Sequence, residues 1–423
     1  MTATGARATQ APAVQSRTPA ARLRDFLRSP VTPYHLLLGS TALLVALGTV
    51  VVFSAGVPDA LVQHDSALYT ASRQMIYALL ATAAFAVAMR IPVPLYRSIA
   101  LPLLGVSILL LVLVLVPGLG AEFSGSRRWF SFGFVTFQPS ELAKVALALW
   151  GADLLARKHR LLVIPKHLLI PLVPVAAVMF ALILVQPDLG TTIATGLVLF
   201  GLLWVAGLPL RLFAGMIGFA AVAVLILGIS APYRMRRLTG FLNPWADSGD
   251  TGYQAVQSML AIAGGGVTGT GLGSGESKWQ WLPNAHTDFA FSVVAEELGI
   301  AGAALILGLF VLLIYALVRI ARDTGSLFVR LFTGAVAFLF AGQALINLGA
   351  VTGLLPITGV PLPLISFGGT ALIVKVGVLG MVAAMARSEP VVAQALALRR
   401  ARRGPGLFTR LRLSLRRGRG DEE

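Results

Sequence analysis

The sequence predicts an all-α polytopic membrane protein with about ten transmembrane helices. Of its 423 residues, 57% are hydrophobic and only 12% are charged, whereas a soluble domain carries roughly 25% charged residues. Apolar runs recur along the chain, and a helix needs about 20 such residues to cross a bilayer. The absence of cysteine excludes disulfides, thiol catalysis and cysteine-ligated metals.

The apolar runs divide the chain into a membrane domain, 34–388, flanked by the basic tails 1–33 and 389–423. The first tail is rich in Ala, Arg, Thr and Pro and is predicted to be disordered. A large outer loop, 232–288, separates spans seven and eight. The predicted spans are 34–53, 74–89, 98–116, 139–156, 168–186, 190–206, 212–231, 289–318, 328–350 and 367–387.

The net charge of +16 is concentrated in the tails, which hold ten basic residues between Arg387 and Arg419 and five between Arg7 and Arg28. This placement favours cytoplasmic segments facing anionic lipid over nucleic-acid binding. Basic residues also fill alternate loops, whereas the first outer loop, 54–73, carries Asp59. The positive-inside rule therefore predicts that both termini are cytoplasmic.

Two outer segments carry cations against that rule: "GSRRWFSFG", residues 125–133, and the loop 232–288. Charge alone leaves two interpretations open, an anionic ligand at the outer face or ordinary pairing with surface acids. The cations are Arg127, Arg128, Arg234, Arg236, Arg237 and Lys278, and the acids are Asp247, Asp250 and Glu276.

Two Gln-Pro motifs open predicted helices. In "FQPSELAK", residues 137–144, Glu141 and Lys144 share a helix face. They form either a self-neutralising pair or the wall of a polar pocket, and the cost of charge in a bilayer favours the pocket. In "QPDLGTT", residues 186–192, Asp188 is expected to cap the following helix.

The glycine-rich stretch "GGGVTG", residues 264–269, matches a dinucleotide-binding motif by letter. Because no βαβ unit surrounds it, that interpretation is rejected. The glycines instead predict tight turns or close approach of the backbone to a ligand.

The stretch "WLPNAHTDFAFSVVAEELG", residues 281–299, places Asp288 at the edge of an apolar run. Asp288 is either the N-cap of the eighth span or a general base at the water–lipid boundary, and His286 could tune it or bind ligand. Glu296 and Glu297 lie deeper and need a partner, for which Lys375 is a candidate. The Pro-rich segment 354–372 predicts a shaped outer surface.

These motifs, in this order, resemble the SEDS family (shape, elongation, division and sporulation), whose FtsW and RodA members are peptidoglycan glycosyltransferases. The resemblance covers 34–388. The segments "RRLTGFLNPWAD" and "KWQWLPNAHTDF" are similar to FtsW, the division enzyme, of actinobacterial type. Asn284 stands where many members have glutamate, and Thr370 where serine is common.

The resemblance implies the ten-span SEDS fold and polymerisation of lipid II at the outer face of the cytoplasmic membrane, at the division septum. It implies as partners a class B penicillin-binding protein and other divisome proteins, and a divalent cation, magnesium or manganese, for which the sequence shows no ligands. Asp288 matches the family's essential aspartate and becomes the expected base. The expected substrate-binding residues are Arg127, Arg128, Trp129, Gln138, Glu141, Lys144, Lys278, His286 and Ser366, supported by Glu296, Glu297 and Lys375.

Three alternatives stay open: a lipid II flippase or secondary transporter, a scaffold that only recruits the synthase, and a RodA-type elongation polymerase. Transporters usually contain internal repeats around a midplane site. This chain shows no convincing half-to-half repeat, and its charged motifs cluster at the outer face.

Overall fold

A computed structural model describes residues 29–123, 126–133, 135–161, 164–229, 240–250, 252–279 and 281–402. The helices are α1 Thr32–His64, α2 Tyr69–Ala88, α3 Val93–Leu113, α4 Pro139–Arg157, α5 Pro165–Leu169, α6 Leu172–Val185, α7 Leu189–Val205, α8 Leu210–Ile229, α9 Tyr253–Gly264, α10 Ala290–Asp323, α11 Leu327–Val351, α12 Thr370–Ser388 and α13 Pro390–Arg402. The strands are β1 Ala121–Phe123, β2 Ser126–Phe132 and β3 Val135–Phe137.

Each of the ten predicted spans coincides with a helix, which confirms the all-α class. Seven helical segments are long and apolar enough to cross a membrane: α1, α2, α3, the α5–α6 pair, α10, α11 and α12. Helix α7 and the first half of α8 are shorter but apolar. Helix α4 is less apolar because four of its residues, Glu141, Lys144, Asp153 and Arg157, are charged.

Helix α1 extends well beyond its predicted end at residue 53. It continues through Pro58 to His64, so the predicted outer loop shortens to the turn 65–68 and Asp59 lies on a helix. An interior proline removes one backbone hydrogen bond but does not always end a helix within a packed bundle.

A three-stranded antiparallel sheet, which the sequence did not predict, lies between α3 and α4. Strand β2 is central, with Glu122 opposite Arg127 and Phe130 opposite Phe137. The pairing of β1 with β2 shifts register between Ala121 and Glu122, which leaves Arg128 as the extra residue of a β-bulge.

Helix α4 lies at the centre of the bundle, with nearly every residue buried. It packs against α3, α7 and α11, and its apolar side chains, including Leu147 and Leu149, are fully enclosed. The polar residues at its start therefore face neighbouring helices rather than lipid.

The ends of the bundle can be told apart by contacts. Arg387 donates to the Met89 carbonyl (2.8 Å), and Thr324 donates to the Glu389 carboxylate, so the α2–α3, α10–α11 and α12–α13 connections share one end. Asp288, which precedes α10, lies at the other end. The cytoplasmic placement of the termini stays a prediction.

Several predictions fall outside the described residues: the disorder predicted for most of the first tail, the tail beyond residue 402, and Arg234, Arg236 and Arg237. Within the predicted outer loop the structure describes α9, and within the predicted second tail it describes α13.

Candidate functional site

Asp288 is partly exposed in the turn that leads into α10. The N-cap of α10 is Phe289, which makes no side-chain cap, and Asp288 lies one residue before it. The buried Asn347 amide donates to the Asp288 carbonyl (2.8 Å) and to the Val360 carbonyl (2.9 Å). Asn347, which the sequence analysis did not single out, thus ties the Asp288 turn to the Pro-rich segment.

The Pro-rich segment forms a wall between Asp288 and the start of α7. A Cβ placed on Gly359 would lie 3.8 Å from the Asp288 Oδ2, and one on Gly190 would lie 2.7 Å from the Thr358 carbonyl. The Leu362 amide donates to the Ser366 hydroxyl (3.0 Å). Ser366, expected to bind substrate, therefore also closes this loop.

Asp188 caps α7, as expected from the sequence. Its carboxylate accepts from the Thr191 amide (2.9 Å) and hydroxyl (2.7 Å). The same buried carboxylate contacts Arg128 (3.2 Å) and accepts from the side-chain amide of Gln138 (3.2 Å). Asp188 therefore holds two expected substrate-binding side chains beside the Pro-rich wall.

Three buried charges lie one turn further into the bundle. Lys144 donates to Glu141 (2.8 Å), and Lys375 on α12 interacts electrostatically with both. One carboxylate thus faces two ammonium groups, which gives the cluster a formal excess of one positive charge. A small cavity of about 10 Å³ beside Lys375 and Ser366 has room for roughly one water molecule.

Arg127 pairs with Glu122 on β1 (3.3 Å). Trp129 is partly exposed on β2. The structure therefore brings Arg128 and Gln138 together at Asp188, about one turn from Glu141 and Lys144, whereas Arg127 pairs with an acid of the sheet itself.

The partners predicted for Glu296 and Glu297 require correction. Glu296 accepts from the Glu276 amide (2.9 Å) and the Ser277 amide (3.1 Å), and also from the Ser277 hydroxyl. Glu297 pairs with Lys278 (2.6 Å). Lys375, the partner suggested by the sequence, instead lies beside Glu141 and Lys144.

Lys278 also differs from its expected role as an outward cation. It is 5% exposed, and its ammonium group donates to Glu297, to the Ser54 hydroxyl (2.9 Å) and to the Gly273 carbonyl (2.8 Å). Because an ammonium has three donors, these bonds leave none for a substrate. In this structure Lys278 ties the glycine-rich loop to α1 and α10.

The glycine-rich loop packs against a break in α10. Gly299 has φ 64° and ψ −162°, a region that essentially only glycine occupies. The amides of Thr270 and Gly271 donate to the carbonyls of Glu296 (3.0 Å) and Glu297 (2.9 Å). The close approach is therefore to the protein's own helix, and it satisfies carbonyls that the break would otherwise leave unpaired.

His286 lies in an aromatic and charged cluster next to the Asp288 turn. Its Nδ1 is 3.1 Å from the Asp59 carboxylate, and its ring contacts Phe367 edge-on. The Arg73 guanidinium lies over the rings of Phe367 and Tyr77. Arg73 and Tyr77 were not predicted as site residues, because their spacing on α2 looks like an ordinary helix face.

Asn284 adopts a left-handed conformation, with φ 58°. Among residues other than glycine, asparagine is one of those that tolerate this region best. Its carbonyl accepts from the Thr287 amide (3.0 Å), so Asn284 shapes the turn that carries Asp288.

No group of three or more His, Asp or Glu side chains that could hold a metal ion occurs in the described part of the chain. The described residues therefore do not form a complete protein-only site for the divalent cation that the resemblance implies.

Comparison with known proteins finds relatives along most of the chain. The family model for FtsW, RodA and SpoVE, described as "Cell cycle protein", matches residues 34–390. A probable peptidoglycan glycosyltransferase FtsW of Mycobacterium tuberculosis is 44% identical over 400 residues, 95% of this chain and 76% of the relative. A protein of the same description from Hahella chejuensis is 40% identical over 347 residues, 80% of this chain and 86% of the relative.

Two solved structures share the fold. One, described under the coordination of polymerization and crosslinking by a peptidoglycan synthase complex, has a TM-score of 0.70 and 32% identity over 84% of this chain and 97% of the other. The other, the rod shape determining protein RodA of Thermus thermophilus, has a TM-score of 0.61 and 30% identity over 84% of this chain and 96% of the other.

Proposed function

The chain belongs to the family of FtsW, RodA and SpoVE cell cycle proteins, and on this premise we propose that it is a peptidoglycan glycosyltransferase that polymerises lipid II. The observation that supports the proposal best is the position of Asp288. Its carboxylate lies beside Gly359 of the Pro-rich wall, and the same wall meets the start of α7 at Gly190, where Asp188 holds Arg128 and Gln138. An acid and a cation on the same wall suit the transfer of a sugar from an anionic leaving group.

In the proposed reaction, Asp288 takes the proton from the 4-hydroxyl of an acceptor GlcNAc. The hydroxyl oxygen forms a bond to the anomeric carbon of the donor MurNAc while the bond to the diphosphate breaks. The bonding electrons leave with undecaprenyl diphosphate, and the anomeric centre inverts from α to β. Because a diphosphate leaves readily, the reaction has less need of the second acid that glycosidases use.

The cations have a defined task in this scheme. Negative charge grows on the departing diphosphate, and preorganised positive groups in a site with little water stabilise it most effectively. Lys144, Lys375 and Arg128 are the proposed groups. Glu141 holds the Lys144 ammonium in place and reduces the repulsion between the two lysines.

We propose that Arg128 both pairs with Asp188 and binds the diphosphate of the substrate. Asp188 fixes the guanidinium beside the wall, while the remaining donors of its fork can bind a phosphate oxygen. We propose that His286, two residues before Asp288, contacts the acceptor sugar.

The proposed setting is the cytoplasmic membrane at the division septum, with the active end outside. Relatives that carry the FtsW name support division over elongation. A crosslinking partner, a class B penicillin-binding protein, is proposed because one structural neighbour is described as part of a complex that both polymerises and crosslinks.

The test compares purified wild type, Asp288→Asn and Asp65→Asn in the presence of the crosslinking partner and lipid II. A general base contributes about 10²–10⁴-fold, so Asp288→Asn should lower the rate of glycan formation by at least about 100-fold. Asp65, exposed after α1, is the control: its φ of 50° suits asparagine, so folding and rate should be unchanged.

Two outcomes count against the proposal. Polymerisation by Asp288→Asn at the wild-type rate removes Asp288 as the base. Movement of labelled lipid II across vesicles by wild type, without any glycan product, favours a transporter instead. If the two variants have equal thermal unfolding midpoints, a lower polymerisation rate in Asp288→Asn is not caused by misfolding.

A further inference from the structure

A second concave site lies at the opposite end of the bundle from Asp288. It is a groove of about 420 Å³ between the ends of α7 and α10 and the start of α11, within the volume range of ligand sites. Helix α10 begins next to Asp288 and runs the length of the bundle before it reaches the groove, so the two sites are separate.

The groove is apolar inside and basic at its rim. Val205, Val318 and Phe338 are among its lining residues, together with Trp204. Residue Trp204 is 47% exposed, and its ring packs against the rings of Phe213 (5.1 Å between centroids) and Phe338 (6.4 Å). Tryptophan commonly sits at the level of lipid headgroups, where one side of the ring is apolar and the other is wet.

The rim cations are Arg322 and Arg330, both exposed. Among the residues that the structure describes, Arg322 forms no ion pair. Arg330 donates to the Thr324 carbonyl (3.2 Å), which leaves most of its five N–H donors available. Two acids lie nearby: Asp323 pairs with Arg319 (3.0 Å), and the Glu389 carboxylate accepts from the Thr324 hydroxyl.

We propose that this groove binds an anionic phospholipid, with its phosphate between Arg322 and Arg330 and an acyl chain along Trp204 and Phe338. Two arginines in a lining that contains no carboxylate complement a phosphate diester. An apolar floor below them suits an acyl chain rather than a free phosphate. Basic pockets between transmembrane helices are a known form of lipid site, and with the predicted orientation this one faces the cytoplasmic leaflet. The inference does not depend on the glycosyltransferase proposal.

The experiment uses Trp204 as its reporter. Purified full-length protein is titrated with phosphatidylglycerol or phosphatidylcholine that carries bromine on the acyl chain, which quenches nearby tryptophan fluorescence. Subtracting the signal of Trp204→Phe isolates quenching at the groove. Saturable quenching should occur at a lower concentration of phosphatidylglycerol than of phosphatidylcholine.

Variants test the two arginines. A basic residue near a membrane contributes on the order of 1 kcal/mol toward anionic lipid, so Arg322→Gln and Arg330→Gln should each weaken phosphatidylglycerol binding about fivefold, and the pair together more than tenfold. Arg90→Gln is the matched control, because Arg90 is exposed at the same end of the bundle but does not line the groove. It should bind like wild type.

Three results overturn the proposal. Equal apparent affinity of wild type for the two lipids removes the phosphate selectivity. An equal loss in Arg90→Gln indicates diffuse attraction to the surface instead of a site. A photo-crosslinker at position 318 that captures a transmembrane helix of another protein in native membranes, and no phospholipid, assigns the groove to a protein partner.

Discussion

At the scale of single residues, buried charges hold the candidate site together in two separate sets. Glu141, Lys144 and Lys375 lie near the proposed leaving-group position, whereas Glu297 and Lys278 lie behind it. In both sets each charge faces an opposite charge, because an uncompensated ion inside a protein costs several kcal/mol. The Glu141–Lys144–Lys375 set has one more positive than negative charge, which fits a role in the proposed chemistry. The Glu297–Lys278 pair is neutral, which fits a structural role.

The architectural role of the second set leads to a prediction. Lys278→Met leaves the Glu297 carboxylate buried without its cation, and removal of one partner of a buried pair costs about 3–5 kcal/mol. We expect Lys278→Met and Glu297→Gln each to lower the thermal unfolding midpoint strongly. The double variant Lys278→Met/Glu297→Gln should be more stable than the sum of the single losses predicts.

The measurement is a double-mutant cycle on detergent-purified protein. Arg127→Met is the control, since the Arg127–Glu122 pair is exposed and exposed pairs contribute about 0–1 kcal/mol. If the two single losses add up in the double variant, Lys278 and Glu297 are not coupled and the pair is not a structural anchor.

At the scale of elements, the break in α10 gives the glycine-rich loop its place. The helix stops its regular hydrogen bonding at Gly299, and the loop supplies substitutes: Ile300 donates to the Gly266 carbonyl (3.0 Å), while Thr270 and Gly271 donate to the helix carbonyls on the other side. The short segment of α10 between Asp288 and the break is thereby held on two sides. Its orientation sets where the Asp288 turn points.

The break predicts a sharp difference between two glycines of one helix. A Cβ on Gly299 would meet the Gly269 amide nitrogen at 2.4 Å, whereas a Cβ on Gly308 meets nothing within 4 Å. Backbone strain alone costs about 1–3 kcal/mol, so Gly299→Ala should lower the free energy of unfolding by more than that. It should also abolish glycan synthesis. Gly308→Ala should be neutral or stabilised by up to ~1 kcal/mol, since alanine favours helices.

Thermal unfolding and polymerisation rate check both variants. A Gly299→Ala protein with wild-type stability and rate would show that the helix is continuous in solution. A similar loss of stability in Gly308→Ala would show that the effect of an added methyl group does not depend on the break at Gly299.

At the scale of the whole molecule, the sequence predicted the class, the positions of the ten helices and the motifs that meet near Asp288, because hydropathy and helix-start signals are local. It could not predict contacts between distant segments. For example, Lys278 and not Lys375 pairs with Glu297. The sequence could not predict this pair, because the spacing of residues does not show that the predicted outer loop folds back onto α10. The length of α1 beyond residue 53 and the break at Gly299 were missed for a related reason: a lone proline or glycine in an apolar run does not reveal how its neighbours compensate it.

The two ends of the molecule differ in a way that makes its orientation testable. The turn after α1 holds Ser66, on the same side as the contact between Asp59 and His286, whereas Ser326 precedes α11 at the far end of α10. Both serines are exposed, and the chain has no cysteine, so single-cysteine variants need no background removal. Loops rich in Arg and Lys stay in the cytoplasm, which places Ser326 inside and Ser66 outside.

In intact cells, a membrane-impermeant maleimide should therefore label Ser66→Cys, and should label Ser326→Cys only after the membrane is permeabilised. The unmodified chain is the negative control. The reverse pattern would place Asp288 and the Pro-rich wall in the cytoplasm. Polymerisation at the outer face by this site would then be untenable, whatever the effect of Asp288→Asn, so the labelling experiment tests the orientation on which the proposed reaction depends.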